Sequence, residues 1–150
     1  MLFRSETGVP FLAGESWDDD AILRAAGEHE ASVYVCAMYA EGADTQFDEG
    51  FQGWLNSNSE ALAYNGGSDA VSPLSAMGYD AYQTALEAIR LAGSADKADV
   101  LAILPRVSCS GVSGSFAFDD DGDAVRTAAW VKKADPASGE WILAGAGKTP

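Results

Sequence analysis

Gly8-Val9-Pro10-Phe11-Leu12-Ala13-Gly14-Glu15-Ser16-Trp17 sets a short apolar run, residues 9–12, between two glycines. A run this short, bounded by such breakers, reads as a buried strand rather than a helix. Glu15-Ser16-Trp17 then lies just beyond the carboxyl end of that strand. Asp18-Asp19-Asp20 supplies an N-cap and charges that suit a helix dipole, which predicts a helix through Ala26 with Ile22, Leu23 and Ala26 as its apolar stripe and Gly27 as its stop. Strand, short polar loop and helix are the opening unit of an α/β fold.

Residues 32–39 bring Val33, Tyr34, Val35, Cys36 and Met38 together with almost no polar interruption, as expected of a second strand covered on both faces. Over 45–55, Phe47, Phe51, Trp54 and Leu55 share one face of a helix, which must dock on something. Residues 56–72, rich in Asn, Ser and Gly, read as a connecting loop. The longest helix follows, with Ser72 as N-cap, Pro73 at its first position and Gly93 just past its end. Leu74, Met77, Ala81, Ala85, Leu86 and Ile89 define its expected buried side, and Glu87 with Arg90 can face water. Ser94 is expected to cap another short helix carrying Val100, Leu101, Ile103 and Leu104, ended around Pro105. Beyond Val107 the pattern turns to β structure, with strands at 112–118 and 124–133 flanking an Asp-Gly turn at 119–123. A second turn at 135–139 leads to a last strand at 141–143.

The chain of 150 residues is 47% apolar, enough for a core. A chain of this length buries roughly 70% of its unfolded surface if its apolar stripes find partners within it. Nine Lys and Arg against 23 Asp and Glu give a formal charge of −14. No window can neutralise a row of phosphates, so nucleic acid is excluded as a partner. The same surplus repels anionic headgroups, and no stretch approaches the ~18 unbroken apolar residues of a membrane span. Residues 1–8 have neither the basic end nor the apolar run of a secretory signal. Cys36 and Cys109 lack the C-x-x-C spacing of a metal or redox site and read as free, inert thiols.

Most chemical motifs fail on inspection. Placing Gly122 at the sixth position of a calcium loop puts Ala117 at the first and Ala128 at the twelfth, where carboxylates are required; Asp119-Asp120-Asp121-Gly122-Asp123 therefore reads as a solvated hairpin turn. His29 is the only histidine, flanked by Glu28 and Glu30 in a polar patch. A nucleophile of the Ser-His or Cys-His kind would depend wholly on it. The glycine pairs 66–67 and 111 with 114 lack the lysine and the strand-to-helix context of a phosphate loop. No cofactor and no metal is called for.

Glu15 differs because of where it sits. In open α/β sheets ligands collect in the crevice outside the carboxyl ends of the strands, where Glu15-Ser16-Trp17 emerges. A carboxylate there can fix an ammonium by a charge-assisted hydrogen bond, and the Trp17 indole can add a wall or a cation–π contact. The alternative is that Glu15 and Trp17 merely form a helix-entry loop.

The order of these segments, with Gly78-Tyr79-Asp80-Ala81 opening a long helix and Gly111-Val112-Ser113-Gly114 ahead of Phe118-Asp119 and Gly122-Asp123, resembles the carboxyl-terminal part of branched-chain amino-acid-type periplasmic binding proteins, the type I solute receptors of ABC importers. The resemblance runs from about residue 7 to about residue 144. It implies an α/β architecture forming the carboxyl-terminal part of two three-layer lobes with a terminal β-hairpin. It implies residues 1–40 in the second lobe, helices of the first lobe over 41–108 after a crossover, and hairpin strands returning between the lobes over 109–150. It implies an amino acid or related amine-bearing solute as ligand, Glu15 on its α-ammonium with Ser16 and Trp17 beside it, Leu74 as a further wall, and Tyr79 packed inside. An ABC permease is the implied partner, and the implied location is periplasmic, or extracellular with a lipid tether.

Members of this family carry a whole amino-terminal lobe and the first part of the second before anything like residue 7. The chain therefore resembles a fragment with its first lobe's main sheet absent, expected to bind amino acids little or not at all in isolation. Its helices would leave apolar patches that favour self-association, with solubility resting on the charge. Three rivals remain at this point: a ligand-sensing domain of the same fold in a receptor or regulator, a small hydrolase using Glu15 or Cys36, and an acidic interaction module without a small ligand.

Overall fold

The computed structural model describes residues 8–126 and 128–148. In chain order the strands are β1 (Phe11–Gly14), β2 (Val33–Ala37), β3 (Ser108–Gly111), β4 (Gly114–Phe118), β5 (Ala124–Arg126), β6 (Ala128–Asp135) and β7 (Glu140–Lys148). The helices are α1 (Asp20–Glu28), α2 (Thr45–Ser57), α3 (Ser59–Tyr64), α4 (Pro73–Ala92) and α5 (Lys97–Ile103). They divide into two compact units, residues 8–40 with 128–148 and residues 41–126.

In the first unit β1 and β2 run in parallel, with Phe11 opposite Val33 and Gly14 opposite Cys36. Helix α1 makes the crossover that a parallel pair requires. Strand β6 joins β2 antiparallel and β7 joins β6, giving the order β1-β2-β6-β7. The core lies where Leu23 and Ala26 of α1 meet Ala31, Val33 and Ala134, with Phe11, Ile22, Trp17 and Trp141 packed around them. Along β2, Val33, Val35 and Ala37 are buried while Tyr34 and Cys36 are only half-buried. The expected cover on both faces of β2 is thus corrected: one face is buried in the core and the other is only half-buried.

Asp19 caps α1, its carboxylate accepting the Ala21 N–H at 2.6 Å. Gly27 is not the stop predicted for it but lies inside the helix. Its missing side chain has another reason, because a Cβ there would stand 3.1 Å from Cβ of Pro136 in the β6–β7 turn. The left-handed conformation near the helix end falls instead on Glu30, at φ 50°. For an L-residue that conformation costs roughly 1–2 kcal/mol, against about 0.5–1 kcal/mol for glycine's extra backbone freedom. Glu30→Gly is therefore expected to raise the thermal midpoint by about 2 °C, measured by circular dichroism; a lowered midpoint would contradict this.

In the second unit Asp44 caps α2 through the Phe47 N–H at 3.0 Å. The buried side chains of α2 are Asp48, which accepts the Gly42 N–H at 2.7 Å, and Leu55. Residues 56–72 are not simply loop. Asn58 ends α2 and caps α3 through the Ala61 N–H at 3.1 Å, and the good helix formers Glu60, Ala61, Leu62 and Ala63 follow it. After α3, the side-chain amide of Asn65 donates to the carbonyls of Ser68 and Ala70 at 2.6 and 3.1 Å.

Helix α4 has the predicted ends, with Ser72 as cap, Pro73 in the first turn and Gly93 left-handed at φ 63°. Its buried face is not the predicted one. Pro73, Ala76, Asp80, Thr84 and Ala88 point inward, whereas Leu74, Leu86 and Ile89 are exposed and Ala81 and Ala85 are on the surface. Helix α5 is capped by Asp96 rather than Ser94; the Ser94 hydroxyl instead accepts the Asp96 N–H at 3.0 Å. The predicted strand at 124–133 is two strands, β5 in the three-stranded antiparallel sheet β3-β4-β5 and β6 in the first unit. The Asp-Gly turn joins β4 to β5 as expected, held by the Asp119 carboxylate on the N–H groups of Asp121 and Asp123. Among the described residues no helix is long and apolar enough to cross a membrane.

Candidate functional site

Chain direction decides what stands at the end of β1. Gly14 closes the parallel pairing with β2, and residues 15–17 then wind into a single 3-10 turn. The Asp18 N–H closes that turn on the Glu15 carbonyl at 2.9 Å, and the Asp19 N–H follows on the Trp17 carbonyl at 2.9 Å. Glu15 is half-buried, and its Oε2 accepts the backbone N–H of Met38 at 3.4 Å, just past the end of β2. The carboxylate thus spans the carboxyl ends of two adjacent parallel strands, where ligands gather in sheets of this kind. One long hydrogen bond uses little of a carboxylate's four-site acceptor capacity, so the group can still receive a cationic donor.

Ser16 is exposed beside Glu15, and Trp17 is half-buried with its side chain against the core under α1. Asp18, at the far end of the turn, forms an ion pair with Lys132 of β6, and both side chains are almost fully buried. The structure therefore brings Glu15, Ser16 and Trp17 together in one turn. Leu74 belongs to the other unit, at the second position of α4, where it is 66% exposed.

The second unit has a groove of about 490 Å³ lined by Phe47, Phe51, Trp54, Tyr79 and Val112, with Asp44 among its borders. The predicted aromatic stripe of α2 forms its wall: Phe51 stacks on Phe47 at 5.8 Å and Tyr79 tilts onto Phe47 at 5.2 Å. Tyr79, expected inside, is 45% exposed. Its neighbour Asp80 takes the interior position, fully buried, with Val112 and Ser113 N–H donating to its two oxygens at 2.9 and 2.8 Å and the Ser113 hydroxyl donating to Oδ2. Arg126 completes this cluster by donating to the Ser113 carbonyl and hydroxyl at 3.2 and 2.9 Å while lying 4.6 Å over the Phe116 ring.

Lys132 and Asp80 are the residues sequence reasoning missed. A signal existed for each. Lys132 and Lys133 are adjacent on a strand, so one of them must face the covered side; Asp80 and Ser113 sit in the two glycine-containing motifs without any surface role assigned. His29, on which a hydrolytic triad would depend, is exposed at the end of α1, and both cysteines are free. Among the described residues no group of three His, Cys, Asp or Glu side chains is placed to hold a metal ion.

No protein-family model matches the sequence, and no curated protein sequence matches it. Solved structures do. The chain is similar to a leucine-binding protein, LivK, from Thermotoga maritima, at 24% identity and a TM-score of 0.65, over 91% of this chain and 37% of that one. The two segments bearing Gly-Tyr-Asp-Ala and Gly-Val-Ser-Gly meet at Asp80, and the parallel strands open onto Glu15, within a fold of that same kind. This chain has part of the type I periplasmic-binding-protein fold and spans about 37% of the length of the neighbour it matches.

Proposed function

We propose that this chain is part of a solute-binding receptor that captures an amino acid, or a related amine-bearing solute, without making or breaking a covalent bond. Fold alone does not fix function, so the reading rests on a site. The observation that carries it is the Glu15 carboxylate spanning the ends of β1 and β2 with most of its acceptor capacity unspent. Glu15 holds the ligand's α-ammonium, with Ser16 and Trp17 in the same turn. In the complete receptor, closure around the ligand traps it through its higher affinity for the closed state. The loaded receptor then docks on an ABC permease, in a periplasm or, lipid-tethered, outside a single membrane.

The test is calorimetric titration of the full-length gene product with leucine and other amino acids. Glu15→Gln keeps the shape of the side chain and removes its charge. It is expected to weaken binding by about 100-fold, or roughly 2.7 kcal/mol, as losing a charged partner for an ammonium implies. Affinity unchanged by the substitution would remove Glu15 from the site.

A further inference from the structure

We infer that Lys132 is a positioning residue: its buried ion pair with Asp18 holds the turn that presents Glu15, an inference that rests on the ammonium reading above. Trp17 packs against the core in the middle of the turn, while Glu15 and Ser16 at its start are not fully buried. Its entry is fixed by the pairing of Gly14 with Cys36. Its exit is fixed at Asp18, whose N–H closes on the Glu15 carbonyl and whose side chain reaches the Lys132 ammonium. Lys132 is 8% exposed and lies opposite Val35 on β2, beside a register shift between Val131 and Lys132. The pair therefore ties the turn to β6 across the covered face of the sheet.

Energetics favour this role over simple stabilisation. A buried ion pair contributes little net stability compared with apolar side chains of the same size, because desolvation offsets most of the attraction. What it does supply is direction: the Asp18 carboxylate has to meet an ammonium on one particular strand. Held there, the backbone of residues 15–18 keeps the Glu15 side chain within reach of the Met38 N–H and of a ligand cation between the strand ends.

The experiment combines leucine titration with hydrogen-exchange mass spectrometry of the segment 15–19 in the full-length gene product. Lys132→Met is expected to speed exchange in that segment and to weaken leucine binding, each by about tenfold or more, whereas Lys132→Arg keeps both near the unaltered protein. Because Lys132→Met strands a buried carboxylate, the double variant Asp18→Asn with Lys132→Met provides a neutral pair that folds. It is expected to regain the thermal midpoint but not the affinity. Glu15→Gln is the companion variant, expected to weaken leucine without changing exchange. Exchange and affinity that stay unaltered in the double variant while Glu15→Gln weakens leucine would overturn the positioning role alone. Leucine affinity untouched by Glu15→Gln, with exchange still faster in the double variant, would overturn the ammonium reading and leave Lys132 as the residue that fixes the turn.

Discussion

Replacing Asp80 with alanine is expected to cost about 3–5 kcal/mol of folding stability, the range for removing one member of a buried, hydrogen-bonded charge network. The Asp80 carboxylate is fully buried and receives the Val112 and Ser113 N–H groups and the Ser113 hydroxyl. Without it, two backbone donors at the tip of the β3–β4 hairpin and one hydroxyl lose their acceptor where water is excluded, at roughly 1–3 kcal/mol for each group left unsatisfied. Arg126 loses its indirect counter-charge as well, since it reaches Asp80 only through Ser113. Asp80→Asn is no rescue, because both carboxylate oxygens accept and an amide offers only one. A thermal melt followed by circular dichroism should fall by roughly 10 °C; a midpoint within about 2 °C of the unaltered protein would contradict the role given to this residue.

Gly111→Ala should be nearly as damaging, for a steric reason. A Cβ on Gly111 would overlap the Asp80 carboxylate outright. The carboxylate cannot swing aside, because its hydrogen bonds hold it to Val112 and Ser113 of the same hairpin. Overpacking of this kind costs about 3 kcal/mol where the neighbour is fixed. The two substitutions should therefore be strongly non-additive. With alanine at position 80 the obstacle is gone, so Gly111→Ala on that background should cost less than about 1 kcal/mol, a coupling of roughly 2 kcal/mol. Additive effects in the urea unfolding of both single variants and the double variant would mean that the two residues do not share this space.

Local grammar was readable where the partners are close in sequence. The ends of α4 follow from Ser72, Pro73 and Gly93, and the start of α1 follows from its aspartates, because caps act over a few residues; the first strand, expected buried over 9–12, forms instead at Phe11–Gly14, with Gly14 inside it and Leu12 exposed. The inward face of α4 was not readable in the same way. Both Leu74, Leu86 and Ile89 on one side and Ala76, Asp80 and Thr84 on the other satisfy helical periodicity. What chooses between them is a hairpin far along the chain, whose N–H groups require Asp80. Residues 56–72 misled for a related reason: Asn58 is both an end and a beginning, and polar composition hid the short helix after it.

The site divides in the same manner. Glu15 was placed by its position after a strand, since strand direction carries it to the sheet's carboxyl edge. Lys132 was not, because nothing near Asp18 in sequence announces a cation, and the aspartate triplet is fully accounted for by helix capping until the sheet brings β6 alongside. The groove walled by Phe47, Phe51 and Tyr79 shows that an aromatic stripe on a helix can remain open within its own unit.

The most direct measurement is a crystal structure of the full-length gene product grown with leucine. The account predicts the ligand's ammonium nitrogen within about 2.7–3.2 Å of the Glu15 carboxylate, beyond the paired ends of β1 and β2. An ammonium held by other groups, with Glu15 turned from the ligand, would contradict it.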